Sequence, residues 1–257
     1  MIRTLCSYLT KAALGLAALL LFNSSAVAGD ITVLAAGAAK ELVARIEAPF
    51  TLYNGHRIKA TFDTVGAQRA RVEKGERPDA VILSSAAIAQ LNKLGLIDAA
   101  TVRDVGDVQV GLAVSANSMT PDISTAQALR KVLLAAKSIA YADPARGATA
   151  GAHFAKVLAA LGISDQVASK VTVLPFGVEV IEAVAAGKFD LGVSQSSEIV
   201  QHKNVRYIGA LPVPHQLATR YQIAALKDRP LGISLADFVV TERGKQASRD
   251  SGFETPR

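Results

Sequence analysis

The feature that most restricts the fold is a strand–helix alternation that begins at residue 31, pauses once and then restarts. Ile31-Thr32-Val33-Leu34-Ala35-Ala36 is a continuous apolar run. Such a run reads as a strand buried on both faces, the kind found in parallel sheets. Leu42, Val43, Ile46 and Phe50 then recur at helical spacing, and Asn54-Gly55 closes the turn. The same reading predicts strands over 57–62 and 79–83, and helices over 67–74 and 86–94. After a strand over 108–114 comes a polar stretch, 115–122, which reads as a crossing point. Beyond it the pattern predicts strands over 138–141, 170–174 and 189–193, with helices over 149–161 and 178–186. Late strands are expected over 205–211 and 221–226, followed by one amphipathic C-terminal helix. Alternation of this kind dictates parallel sheets flanked by helices. The two runs predict two α/β lobes, one from residues 29–113 plus 221–257 and the other from 114–220. Ligands in such sheets sit beyond the carboxyl ends of the strands, and a cleft between lobes is a common site.

The first 28 residues carry a different signal. Arg3 and Lys11 precede or flank an apolar stretch of eleven residues from Ala12 to Phe22, and Ala26-Val27-Ala28 supplies small residues for signal peptidase. This is the pattern of a secretory signal peptide, and it places the mature chain in the periplasm. Cys6, the single cysteine, precedes the apolar stretch and would leave with it. A mature chain without thiols excludes disulfides, cysteine nucleophiles and thiolate metal sites. The net charge of +6 falls to +4 when Arg3 and Lys11 are removed. With basic residues scattered and few aromatics among them, nucleic acid is not an expected partner.

The small residues fall at the strand-to-helix turns. Gly37-Ala38-Ala39-Lys40 follows the first strand, Asp63-Thr64-Val65-Gly66 the second and Ser84-Ser85-Ala86 the third. In the second half, Arg146-Gly147-Ala148-Thr149-Ala150-Gly151, Pro175-Phe176-Gly177 and Ser194-Gln195-Ser196-Ser197 occupy the corresponding places. Helix N-termini present free N–H groups and partial positive charge, so they bind anions without a cationic side chain. Taken singly, each turn is an ordinary cap. Several converging on one cleft would make an anion site.

LAAG in the first strand, FDTVGAQRARVEKGERPDAVILS, YADPARGATAGAHFAKVLAALGI and VEVIEAVAAGKFDLGVS together resemble the periplasmic molybdate-binding protein family. The resemblance covers nearly all of residues 31–253. It implies the two-lobed type II periplasmic-binding fold and a monomeric solute-binding protein that delivers a small anion to the inner-membrane permease of an ABC importer. In that family a serine after the first strand holds the oxyanion; Ala38 stands there in this chain. A second serine corresponds to Val65, with Thr64 beside it, and a tyrosine corresponds to Gln195. Backbone amides correspond to Ala150 and Gly177. The backbone donors therefore carry over and the side-chain hydroxyls do not.

The remaining polar groups suggest what could replace the oxyanion. Thr64, Ser84, Thr149 and Gln195 offer neutral hydrogen bonds, and Ala39 and Gly66 lie in the same turns. Arg69, nearest the Thr64-Val65-Gly66 turn, could grip a carboxylate in bidentate fashion. A small organic acid is thus the expected alternative to an oxyanion, with Ala38, Ala39, Thr64, Val65, Gly66, Arg69, Ser84, Thr149, Ala150, Gly177 and Gln195 as the expected ligand-binding set. No catalytic constellation, metal spacing or cofactor motif is recognisable, so neither metal nor cofactor is expected. Glu179 and Glu182 read as a solvated helix face. An isomerase of a small tricarboxylate such as aconitate, an activity known on a similar fold, is the enzymatic alternative, with Lys40, His153 and Glu198 as conceivable bases.

Overall fold

The computed structural model describes residues 29–255. The signal-peptide reading and Cys6 lie outside the described residues. Nine strands form one sheet system in the order β2-β1-β3-β9-β4-β7-β5-β6, with β8 also beside β4. They are β1 (Asp30–Ala36), β2 (Arg57–Asp63), β3 (Ala80–Ser84), β4 (Arg103–Ser115), β5 (Ile139–Ala142), β6 (Val171–Leu174), β7 (Leu191–Gln195), β8 (Val205–Ala210) and β9 (Ala218–Ala225). The helices are α1 (Lys40–Asn54), α2 (Val65–Glu73), α3 (Ser85–Lys93), α4 (Ala126–Ala135), α5 (Thr149–Ala160), α6 (Ser164–Val167), α7 (Gly177–Ala185), α8 (Ser196–Ile199), α9 (Pro230–Val239) and α10 (Glu242–Asp250).

The expected parallel pairings are present. β1 lies between β2 and β3, and β5 between β6 and β7, all parallel. The antiparallel members join these groups. β9 inserts between β3 and β4, while β4 runs on to pair with β7 and β8. β4 exchanges partners along its length. Arg103–Gln109 faces β9, and the following residues from Val110 face β7. The buried apolar residues divide at the same place. One cluster joins Leu34, Leu42, Phe50, Ile82, Tyr221 and Phe238, while another joins Val110, Leu112, Leu129, Phe154, Leu158 and Val193. Each is closed by an edge-to-face aromatic pair, Phe50–Phe238 and Tyr141–Phe154, both with centroids 5.3 Å apart. These are the two lobes, and β4 crosses between them.

Some elements differ from the sequence expectation. Helices α4 and α6 were not anticipated. The C-terminal segment is two helices, because Thr241 leaves the helix in extended geometry and its hydroxyl caps α10 by accepting from the Gly244 N–H at 3.2 Å. β4 is also longer than the predicted 108–114, since its first half serves the other lobe. No helix among the described residues is long and apolar enough to cross a membrane.

Candidate functional site

The carboxyl ends of β1, β2, β5 and β7 meet between the lobes and enclose a cavity of about 290 Å³. The β1/β2 lobe contributes Ala36, Gly37, Ala38, Lys40, Phe62, Asp63, Thr64, Val65 and Tyr221; the facing lobe contributes Ala142, Ala148, Thr149, Ala150, Phe176, Gly177, Glu179, Ser194, Gln195 and Glu198, among others. Three helices that open on the cavity, α1, α5 and α7, begin without a side-chain cap. α2 also opens on the cavity but is capped, the Thr64 hydroxyl accepting from the Ala67 N–H at 3.1 Å. Of the helices that start elsewhere, the single-turn α6 has no side-chain cap. α3, α4 and α10 are capped by Ser84, Thr125 and Thr241. α9 lacks a side-chain cap but opens on Pro230, which has no N–H to satisfy. Three of the helix starts at the cavity therefore leave amides that a ligand can reach.

Of the expected ligand-binding residues, Ala38, Thr64, Val65, Thr149, Ala150, Gly177 and Gln195 line the cavity. Four do not. Arg69 is one turn into α2 and faces α3: its guanidinium pairs with Glu73 at 3.1 Å and donates to Gln90 Oε1 at 2.8 Å. Ser84 lies behind Tyr221, its strand neighbour, and its hydroxyl caps α3 by accepting from the Ala87 N–H at 3.4 Å. Ala39 is buried beneath the turn that precedes α1. Gly66 spends its amide on the other lobe, donating to the Gly147 carbonyl at 3.2 Å. His153 is also removed from the cleft, its Nε2 lying 2.8 Å from the His215 carbonyl. Glu179 and Glu182, expected on a solvated face, also border the cavity, where Glu182 is exposed and Glu179 half-buried.

The rim is bridged between lobes. Arg146 approaches both Asp63 carboxylate oxygens at 3.2 Å and lies 4.8 Å over the Phe176 ring. The Thr64 hydroxyl donates to the Arg146 carbonyl in a short hydrogen bond, and Ser197 donates to the Ala38 carbonyl at 2.9 Å. The lobes are therefore closed on one another.

At the floor sits Glu198. Its Oε2 accepts a short hydrogen bond from the Ser194 hydroxyl and a longer one, 3.4 Å, from the Gln195 N–H. Burial pushes its carboxyl above the ordinary carboxylate range, and those two hydrogen bonds only partly oppose the rise. Tyr221 is pushed up first by burial and then by the charge of Glu198, against the opposing effect of Gln195 and Thr149 beside its hydroxyl. Gly37 and Gly177 admit the carboxyl. A Cβ on Gly37 would lie 2.8 Å from Glu198 Oε1, and one on Gly177 would lie 2.3 Å from Oε2. Sequence reasoning named Glu198 only as a conceivable base and missed Tyr221. The Gln195-x-x-Glu198 spacing of a capping box was the one local signal for the former.

The model of the family described as bacterial extracellular solute-binding protein matches residues 31–254. An aconitate isomerase from Pseudomonas sp. is 24% identical over 255 residues, covering 94% of this chain and 95% of the relative. The periplasmic molybdate-binding protein of Azotobacter vinelandii superposes with a TM-score of 0.71 at 17% identity, covering 88% of this chain and 100% of its own. The periplasmic binding protein AfuA from Actinobacillus pleuropneumoniae, with fructose-6-phosphate bound, gives a TM-score of 0.68 at 13% identity, covering 87% of this chain and 83% of its own. These likenesses establish the two-lobed type II periplasmic-binding fold.

Proposed function

We propose, since the chain belongs to the family of bacterial extracellular solute-binding proteins, that it captures a small organic anion in the periplasm and presents it to the permease of an importer. The observation that carries this reading is the convergence on one cavity of the uncapped amides of the Gly37–Ala39 turn before α1 and of α5 and α7, from both lobes. Partial positive charge at those ends favours an anionic group without a cationic clamp. At about 290 Å³ the cavity lies near the lower end of small-molecule pockets, about 300–1,000 Å³. Phe62, Phe176 and the alanines give it apolar walls, which suit a carbon skeleton better than a bare tetrahedral oxyanion. Closure would turn on β4 and the return segment 211–217, with lobes of about 29–113 plus 221–257 and 114–220. A ligand that contacts both halves binds the closed state preferentially, and that difference is what a permease could read.

Isomerisation of a small tricarboxylate is a second reading. It is favoured by the end-to-end likeness to an aconitate isomerase and by Glu198, an ionisable carboxyl inside the cleft. Binding is preferred because the family model that spans residues 31–254 is of solute-binding proteins. The test is a thermal-shift and calorimetric screen of molybdate, sulfate, phosphate and di- and tricarboxylates, with trans-aconitate followed for turnover. A true ligand at 100 times its Kd should stabilise the fold by about 2.7 kcal/mol. Stabilisation by molybdate or sulfate alone would refute an organic ligand, and turnover of aconitate would replace capture with catalysis.

A further inference from the structure

The cleft has an unusual charge balance for an anion site. Asp63, Glu179, Glu182 and Glu198 all line it, against Lys40 as the sole lysine or arginine in the lining. Asp63 is occupied by Arg146 at the rim, and Glu182 is exposed. Glu198 is neither paired nor displaced. It lies between Gly37 of one lobe and Gly177 of the other, at the uncapped start of α7, where an anion held by those amides would meet it.

The two carboxyl oxygens are not equivalent. Oε2 accepts from Ser194 and Gln195. Oε1 points at Gly37 and has no hydrogen-bonding partner assigned to it. Of the groups around Glu198, Tyr221 approaches from β9, Glu179 and Glu182 from α7, and Lys40 from the start of α1, with Asp63 across the cavity at the end of β2; β4 and β8, also packed on α8, place no residue in the lining. Two carboxylates cannot share such a space while both are ionised, and one is forced to keep its proton. A neutral acid facing a carboxylate gains a short, charge-assisted O–H···O hydrogen bond.

We propose that Glu198 receives the ligand's carboxylate as a neutral acid through Oε1, so that each ligand is captured together with one proton. This rests on the organic-anion reading of the same cleft and adds the protonation state in which it operates. The preferred guest is a carboxylate, because sulfate, the anion of a stronger acid, is a poorer acceptor for the Glu198 proton. Upward displacement of Glu198 by burial agrees with the geometry.

The experiment has two arms, both on the full chain. Without ligand, infrared difference spectra of the wild type against E198Q at neutral pH should contain the carbonyl band of a buried protonated carboxyl that the variant lacks. With succinate as probe, calorimetry in two buffers of different ionisation enthalpy, above the pH at which that carbonyl band disappears in the ligand-free protein, should report proton uptake approaching one per succinate and an affinity that falls by up to about tenfold per pH unit. E198Q should bind with no proton uptake and a flat pH profile. Succinate binding with no uptake, or the same pH slope in both proteins, would overturn the proposal while leaving organic-anion capture standing. Binding of sulfate but not succinate would overturn both.

Discussion

Replacing Gly177 by alanine probes the closest approach in the site. The new methyl would stand 2.3 Å from Glu198 Oε2 and 2.5 Å from Ser194 Oγ, both well inside contact distance. Ser194 is fully buried and cannot swing into solvent. Glu198 has more freedom, but moving it breaks the Ser194–Glu198 hydrogen bond. Loss of that bond costs about 0.5–1.5 kcal/mol between neutral partners, or about 1.5–3 kcal/mol if the carboxyl is charged. Overpacking of a close-fitting site costs about 1–3 kcal/mol. Since one displacement relieves the other, the expected cost is about 1–3 kcal/mol rather than the sum. For a chain of this size it corresponds to a fall in Tm of about 2–12 °C. The decisive assay is a double-mutant cycle by urea denaturation. In an E198A background the carboxylate is gone, and G177A should cost at least about 1 kcal/mol less than in the wild type, the coupling expected of side chains in contact. Equal costs in the two backgrounds would refute the claim that the glycine exists to admit the carboxyl.

Three further outcomes follow from the same geometry. Because burial raises the Glu198 carboxyl above its ordinary value of 4.5, its contribution to stability is full below that value and is lost as pH rises through the folded-state value. E198Q, which keeps the hydrogen-bonding shape, should therefore match the wild type in urea at pH 4 and exceed it at pH 8, by about 1.4 kcal/mol for each tenfold weakening of the acid; a gap independent of pH would count against this. R146A should weaken binding of an organic anion by no more than about fivefold in calorimetry, since the partly exposed pair with Asp63 is worth about 0.2–1 kcal/mol; a loss beyond a hundredfold would mean that Arg146 touches the ligand. Affinity for a dicarboxylate should change little between low and high salt, because fixed amides rather than solvated cations hold it, whereas steep weakening by salt would restore a cationic clamp.

The fold was legible where chemistry is periodic. The apolar run at 31–36 could satisfy its backbone and bury both faces only within a parallel sheet, and β1 lies between β2 and β3 as that demands. What the pattern could not give was which lobe a strand serves. The buried positions of β4 are apolar in both lobes except for Gln109, and one polar residue does not announce that the partner changes between Gln109 and Val110. The final break escaped for a related reason. Val239-Val240 carries the apolar stripe right up to Thr241, with no Gly or Pro between, and Thr241 then caps a helix on a new axis.

The site was legible by position and misleading by charge. The strand-to-helix turns were found because small residues mark them, and seven of the eleven expected residues line the cavity. Arg69 lies outside the cavity although it shares a helix face with Val65, because one turn into α2 it stands about 6 Å further along the axis, where Glu73 and Gln90 are its partners. Glu179 and Glu182 differ in the opposite sense, bordering the cavity as well as solvent, since helical spacing fixes which residues share a face but not what that face looks upon. A cleft whose charged side chains are mainly acidic can still favour an anion if several helix starts facing it are left uncapped and the one carboxyl at its floor is neutral. That combination is written in backbone placement and burial, so it becomes visible only when the turns from both lobes are brought together around Glu198.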